Sequence, residues 1–166
     1  MRSCFGCIVL MLLFHTKVIS QHHVSTSVSV TKMDFFHGLE YQFQPNRFSF
    51  EIAGEYGIKA TYFIRNLYTR FRIGSVYNVL KLDKFQLGPK LNYAFSVNKL
   101  HNSSRNTITA NEMNTGLEWR YGQKWFVGNS ILIGGMVERR FNTLYDKYHN
   151  HVTLSYVFQL NVGYAF

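Results

Sequence analysis

Cysteine, proline and charge are all scarce in this chain, and so is any long apolar run. Its two cysteines, Cys4 and Cys7, lie within the first ten of 166 residues. The rest of the chain can therefore build no disulfide framework and offers no thiolate for catalysis or metal binding. Two prolines, Pro45 and Pro89, exclude a proline-rich linker. The longest apolar run, residues 7–14, is less than half of the roughly 20 residues that a membrane-crossing helix needs. Charged residues make up 16% of the chain, against about 25% in an ordinary soluble domain. Aromatic residues are abundant instead, at 17%.

The short apolar run follows Arg2 and precedes Val18 and Ser20, which stand at the −3 and −1 spacing of a signal-peptidase site. Residues 1–20 are expected to be a cleaved signal peptide, and residues 21–166 a single domain beginning at Gln21. Cys7 precedes the apolar run, whereas a lipid-anchored cysteine follows it, so a lipoprotein is not expected. Without residues 1–20, sixteen basic and nine acidic residues remain, a formal charge of +7. A balance of that sign attracts nucleic acid or anionic lipid. The placement of the charges decides between them.

Alternation is the dominant pattern. Near the C-terminus, Val152, Leu154, Tyr156, Phe158, Leu160, Val162, Tyr164 and Phe166 occupy every second position, with Thr153, Ser155, Gln159, Asn161 and Gly163 between them. A strand turns successive side chains to opposite faces, so this segment has one apolar wall and one mostly hydrophilic wall. Its length exceeds the 9–11 residues, roughly, of a tilted strand crossing a membrane. The same period predicts seven earlier strands, near residues 24–30, 35–43, 48–58, 67–79, 85–97, 114–121 and 124–141. Residues 44–47, 81–84 and 121–124 read as tight turns. Residues 62–66, 99–112 and 142–150 read as looser loops. Pro89 removes a ladder bond and predicts a bulge or break in the fifth strand.

The charges obey the same alternation. Glu40, Glu51, Glu55, Glu118 and Glu138 fall on the wall opposite the apolar one, with Lys59, Arg70, Arg72, Lys90, Arg120 and Arg140 beside them. Asp34, Asp83, Glu112 and Asp146 are assigned to turns, loops or strand ends. Only Arg139 falls on the apolar wall, near a strand end where it can snorkel. Buried charges must pair or stay hydrated, and the lumen of an eight-stranded barrel is just wide enough for side chains to fill. The expected fold is all-β: an eight-stranded antiparallel up-and-down transmembrane β-barrel with a filled, ion-paired polar interior. A soluble lipocalin-like barrel would reverse the two walls. Trp119, Tyr121, Trp125, Tyr164 and Phe166 form one expected interfacial girdle, and the bases outside the lumen fit anionic lipid headgroups more economically than nucleic acid.

In length, alternation, turn pattern and final Phe166, residues 22–166 resemble the eight-stranded bacterial outer membrane barrels of the outer membrane protein A and X type. The resemblance implies tight turns and both termini in the periplasm, and recognition of Phe166 by the barrel-assembly machinery. It also implies contact of Lys99, Arg105, Arg139 and Lys147 with lipopolysaccharide phosphates. Such proteins are mostly structural, adhesive or defensive, so no catalytic residue or cofactor is implied. The expected role is a non-catalytic structural or accessory subunit of an envelope complex, or a surface-interaction protein with a protein partner. A narrow channel is a third reading.

A local feature gives the alternative. His101-Asn-Ser103 followed by Asn114-Thr-Gly-Leu-Glu118 is similar to the His-x-Ser and acid-bearing segments of outer membrane lipid A deacylases. That resemblance implies Ser103 as nucleophile, His101 as its base, and Glu118 or Glu112 as the orienting carboxylate. The order along the chain departs from that family, since two further strands follow the pair here. His149 and His151, or His22 and His23 with a free amine, could share a metal, but neither set makes a full ligand complement, and no metal site is expected.

Overall fold

The computed structural model describes residues 21–58, 67–99, 107–142 and 147–166. These form nine strand segments: β1 (Gln21–Thr31), β2 (Phe35–Gln44), β3 (Phe48–Gly57), β4 (Leu67–Tyr77), β5 (Leu80–Lys81), β6 (Phe85–Lys99), β7 (Thr107–Gly122), β8 (Trp125–Asn142) and β9 (Lys147–Ala165). The hydrogen-bonded order is β4-β3-β2-β1-β9-β8-β7-β6-β5, and β4 also pairs with β6, which closes the sheet. β5 resumes β4 beyond an irregularity, so nine segments make eight antiparallel staves.

The pairing registers give the barrel its geometry. Stepping across the ladder from Thr26 passes through Leu39, Gly54, Phe71, Phe95, Asn111 and Val137 to Val152 of β9. Thr26 itself pairs with Val162, ten residues further on. This stagger of ten sets the strand tilt, which in closed barrels is about 35–45°.

Turn chemistry explains one end of the barrel. Asn46 takes a left-handed φ of 79° between β2 and β3, and Gly122 a φ of 129° between β7 and β8. Asparagine and glycine are the residues that adopt such angles at least cost. At the opposite end, the β1–β2 connection is held by Thr31 N–H donating to the Asp34 carbonyl at 3.0 Å. Asp34 Oδ1 also accepts from Phe35 N–H at 2.6 Å.

The break expected at Pro89 falls on the neighbouring stave instead. β6 runs unbroken, with Pro89 opposite Leu117. On its other side Val76 pairs with Lys90 and Leu80 with Leu87, so Tyr77, Asn78 and Val79 stand against only Gly88 and Pro89. Proline offers no N–H there, and the partner strand bulges. Gly88 leaves room, since a Cβ would overlap the Tyr77 carbonyl. Asn78 N–H then donates to the Arg47 carbonyl at 2.8 Å, tying the bulge to the β2–β3 turn.

The walls are inverted relative to a water-soluble protein. Leu39, Ile52, Phe71, Leu91, Leu117, Ile131 and Leu160 are exposed on the outer face, while the buried set is dominated by Ser, Asn, Gln, Glu, Arg and Lys. Two boundaries differ from expectation. β7 begins at Thr107 rather than near residue 114, and β9 at Lys147 rather than 151. Both early segments carry polar outward residues, Asn111 and Asn150, which break the apolar alternation without breaking the ladder.

Candidate functional site

The alternation that turns Leu39 and Ile52 outward turns Glu40 and Glu51 inward, and the staves converge them on Arg72. Its guanidinium reaches Glu40 at 2.7 Å, Glu51 at 2.7 Å and Glu55 at 3.1 Å, with its side chain fully buried. The planar five-donor fork of arginine suits it to bridge several carboxylates at once. Lys90 continues the chain to Glu51 at 2.8 Å and Glu118 at 2.7 Å. Glu118 also accepts from Ser130 at 3.1 Å and pairs with Arg120 at 3.4 Å. Arg120 in turn donates to Gln42.

Toward the looser end, Arg70 bridges Glu55 at 3.0 Å and Glu112 at 2.9 Å. Glu112 lies on β7 inside the lumen, correcting its assignment to a loop. Ser155 donates to it at 3.1 Å. From the opposite wall Gln159 donates to Glu40 at 3.0 Å. The result is one connected network from Glu112 to Gln42, built from β2, β3, β4, β6, β7, β8 and β9. β1 contributes Ser25, Ser27 and Ser29 to the lumen, small side chains that leave space for the arginines.

Aromatic rings close the network at both ends. Phe36 packs edge-on against Tyr68 with centroids 5.0 Å apart, and the Arg70 guanidinium lies 5.2 Å from the Phe36 ring. At the tight-turn end the Arg120 guanidinium sits 4.3 Å from the Phe126 ring, which meets His23 edge-on at 5.4 Å. Beyond these rings lie two separate vestibules. One of about 530 Å³ is lined by Lys32, Asp34, Tyr68, Glu138, Arg140 and His151. The other, of about 680 Å³, is lined by His23, Lys81, Gln86, Arg120, Lys124 and Phe166.

The remaining predicted residues separate into groups. Glu138 is buried at the lumen wall and pairs at 2.7 Å with Arg140, whose side chain is half exposed. Arg139 is exposed with its guanidinium 4.4 Å from the Tyr148 ring. Trp125 and Tyr164 meet edge-on at 5.1 Å, and Trp119 and Tyr121 are exposed on the same outer wall. Phe166 stacks on His22 with centroids 6.0 Å apart. His22 bonds Tyr41 on the outer face while His23 is buried inside, so their rings point to opposite sides of β1. Among the described residues no three or more His, Cys, Asp or Glu side chains converge on a metal position. Lys59, His101, Ser103, Arg105 and Asp146 lie outside the described residues. The two carboxylates offered as triad members are both committed, Glu118 to Lys90 and Glu112 to Arg70.

A closed eight-stranded antiparallel barrel with an apolar exterior and an ion-paired lumen is the architecture of outer membrane barrel proteins. The comparison with solved structures agrees. The chain is similar to the N-terminal β-barrel domain of Pseudomonas aeruginosa OprF, with a TM-score of 0.55 and 10% identity over 88% of this chain and 97% of that one. It is also similar to a major outer membrane protein from Thermus thermophilus, with a TM-score of 0.50 and 9% identity over 89% of this chain and 99% of that one. No protein-family profile and no curated protein matches the chain.

Proposed function

We propose that this protein is a small integral outer membrane barrel that acts as a non-catalytic structural or accessory component of the bacterial envelope. In this reading the tight turns and both termini face the periplasm, and the opposite end of the barrel faces outward. The barrel-assembly machinery recognises the strand ending at Phe166. The observation that carries the proposal is the lumen: each of its four central cations is held in ion pairs with carboxylates, under an exterior apolar enough to need lipid. Such a design stabilises a wall rather than a passage.

The test is fractionation of cells producing a chain tagged between Ser20 and Gln21, followed by detergent extraction, protease accessibility of the tag and co-purification. The expected result is an outer-membrane, detergent-dependent protein with a protected tag and a stoichiometric protein partner. Recovery as a soluble species in buffer, or lipid A deacylation that is lost on Ser103→Ala, would overturn the proposal.

A further inference from the structure

The staves are unequal in length, and the inequality lies at one end. β1, β2 and β3 have 11, 10 and 10 residues, whereas β7, β8 and β9 have 16, 18 and 19. At about 3.3 Å per residue and roughly 40° of tilt, a strand of β9's length rises about 48 Å, against an apolar band of about 25 Å. The tight-turn ends are level, because β1 and β9 pair down to His22 and Phe166. The excess therefore stands at the opposite end as a ribbon of β8 and β9.

Among the described residues, that ribbon has an unpaired edge. β1 accompanies β9 only as far as Thr31 opposite Val157, while β8 accompanies it to Asn142 opposite Lys147. The hydrogen-bond parity identifies the groups on the edge. Phe166 and His22 exchange backbone bonds at 2.9 and 3.3 Å, and Ala165 N–H donates to Lys124 of the β8 side at 2.7 Å. Even-numbered residues of β9 thus face β1 and odd-numbered ones face β8, without a slip in either register. Above Val157, the backbone N–H and C=O groups of Tyr148, Asn150, Val152 and Leu154 point along the sheet to where no described strand lies. Val152 is 79% exposed. Edge strands of this kind are ready templates for strand addition.

We propose that this β9 edge binds an extended acidic peptide segment of another protein by strand addition. A second copy in the same membrane does not fit. A two-fold axis along the membrane normal preserves each strand's axial direction, so two strands tilted about 40° would cross rather than pair. Charge selects the partner. The described residues of the ribbon carry Arg139, Arg140 and Lys147 against Glu138 alone, and Lys32 reaches Thr153 on its lumen-facing side. Tyr148, Val152 and Leu154 line its outer face. A segment alternating acidic and apolar residues would match both faces.

This inference rests on the membrane-barrel reading for the ribbon's projection, so the test separates the two. The probe is a fluorescent peptide of about ten residues alternating valine and glutamate, titrated against the full barrel in detergent micelles. Controls are its lysine counterpart and a version N-methylated on alternate residues. Val152→Pro removes one edge-facing N–H and leaves the β8 ladder intact, and Val152→Thr keeps that N–H. The expected result is binding of the glutamate peptide, unchanged by Val152→Thr and weakened at least about tenfold by Val152→Pro or by N-methylation. Equal binding by Val152→Pro, equal binding of the lysine peptide, or no binding overturns the edge site. Monodispersity of the barrel without detergent would instead overturn the membrane reading.

Discussion

Arg72 concentrates the residue-scale chemistry of the lumen, holding three carboxylates at 3.1 Å or less with its own side chain fully buried. Replacing it by methionine keeps much of the volume and leaves Glu40, Glu51 and Glu55 without their shared cation. Breaking a buried pair from one side costs about 3–5 kcal/mol. Arg72→Met is expected to lower the urea-unfolding free energy of the lipid-reconstituted barrel by that amount. Arg140→Met is expected to change it by less than about 1 kcal/mol, because that guanidinium is half in solvent. Equal effects from the two variants would contradict a sealed network. Gly134 and Gly135 give a second contrast within one dipeptide. A Cβ on Gly134 would overlap the Met113 carbonyl oxygen, whereas nothing lies within 4 Å of one on Gly135. Gly134→Ala is expected to destabilise by about 1–3 kcal/mol through overpacking. Gly135→Ala should stay within about 0.5 kcal/mol, as read by the same unfolding curves.

At the scale of elements, β9 carries one apolar row through two environments. Leu160 lies on the outer wall at a level where β9 is paired on both sides, opposite Val28 of β1, whereas Val152 stands on the ribbon above the last residue of β1, paired only with Val137 of β8. An arginine on the lipid face costs about 2–4 kcal/mol at mid-membrane and about 0–1 near the interface. Leu160→Arg is therefore expected to be more destabilising than Val152→Arg by at least about 2 kcal/mol. Similar costs at both positions would show that the ribbon is immersed in lipid. The same two environments explain what the sequence disclosed. Where lipid faces a strand, as along residues 158–166, period-two apolar spacing marks both the strand and its inward partners, so parity alone assigns Glu40, Glu51, Arg70, Arg72, Lys90 and Glu118 to the lumen. Where the outward row meets water, as at Asn111 and Asn150, the spacing vanished and the strand read as loop. Glu112 therefore reads as a loop residue, although the barrel places it in the lumen. The parity of Asn114 and Glu118, carried back along the same strand, points Glu112 inward and could have found it. Pairings such as Arg72 with three glutamates depend on the stagger of ten, which no single segment encodes.

At the scale of the whole molecule, the question is whether this barrel conducts. Its two vestibules open at opposite ends and share no lining residue. Between them stand four cations, Arg70, Arg72, Lys90 and Arg120, interleaved with Glu40, Glu51, Glu55, Glu112 and Glu118 in direct ion pairs. A permeating ion would have to separate Arg72 from Glu51 or Lys90 from Glu118 in a medium where partners gain little from water. Rings at Phe36 and Phe126 narrow the same path. Purified barrel in planar bilayers is therefore expected to show no steady conductance above the lipid baseline at neutral pH. Salt should act weakly as well, because pairs this deeply buried lie outside the reach of counterion screening. The urea-unfolding free energy should then be nearly the same in dilute buffer and at about 0.5 M sodium chloride, with a change under about 1 kcal/mol. Discrete conductance steps would mean that the network opens, and a strong salt dependence would mean that water reaches Arg72.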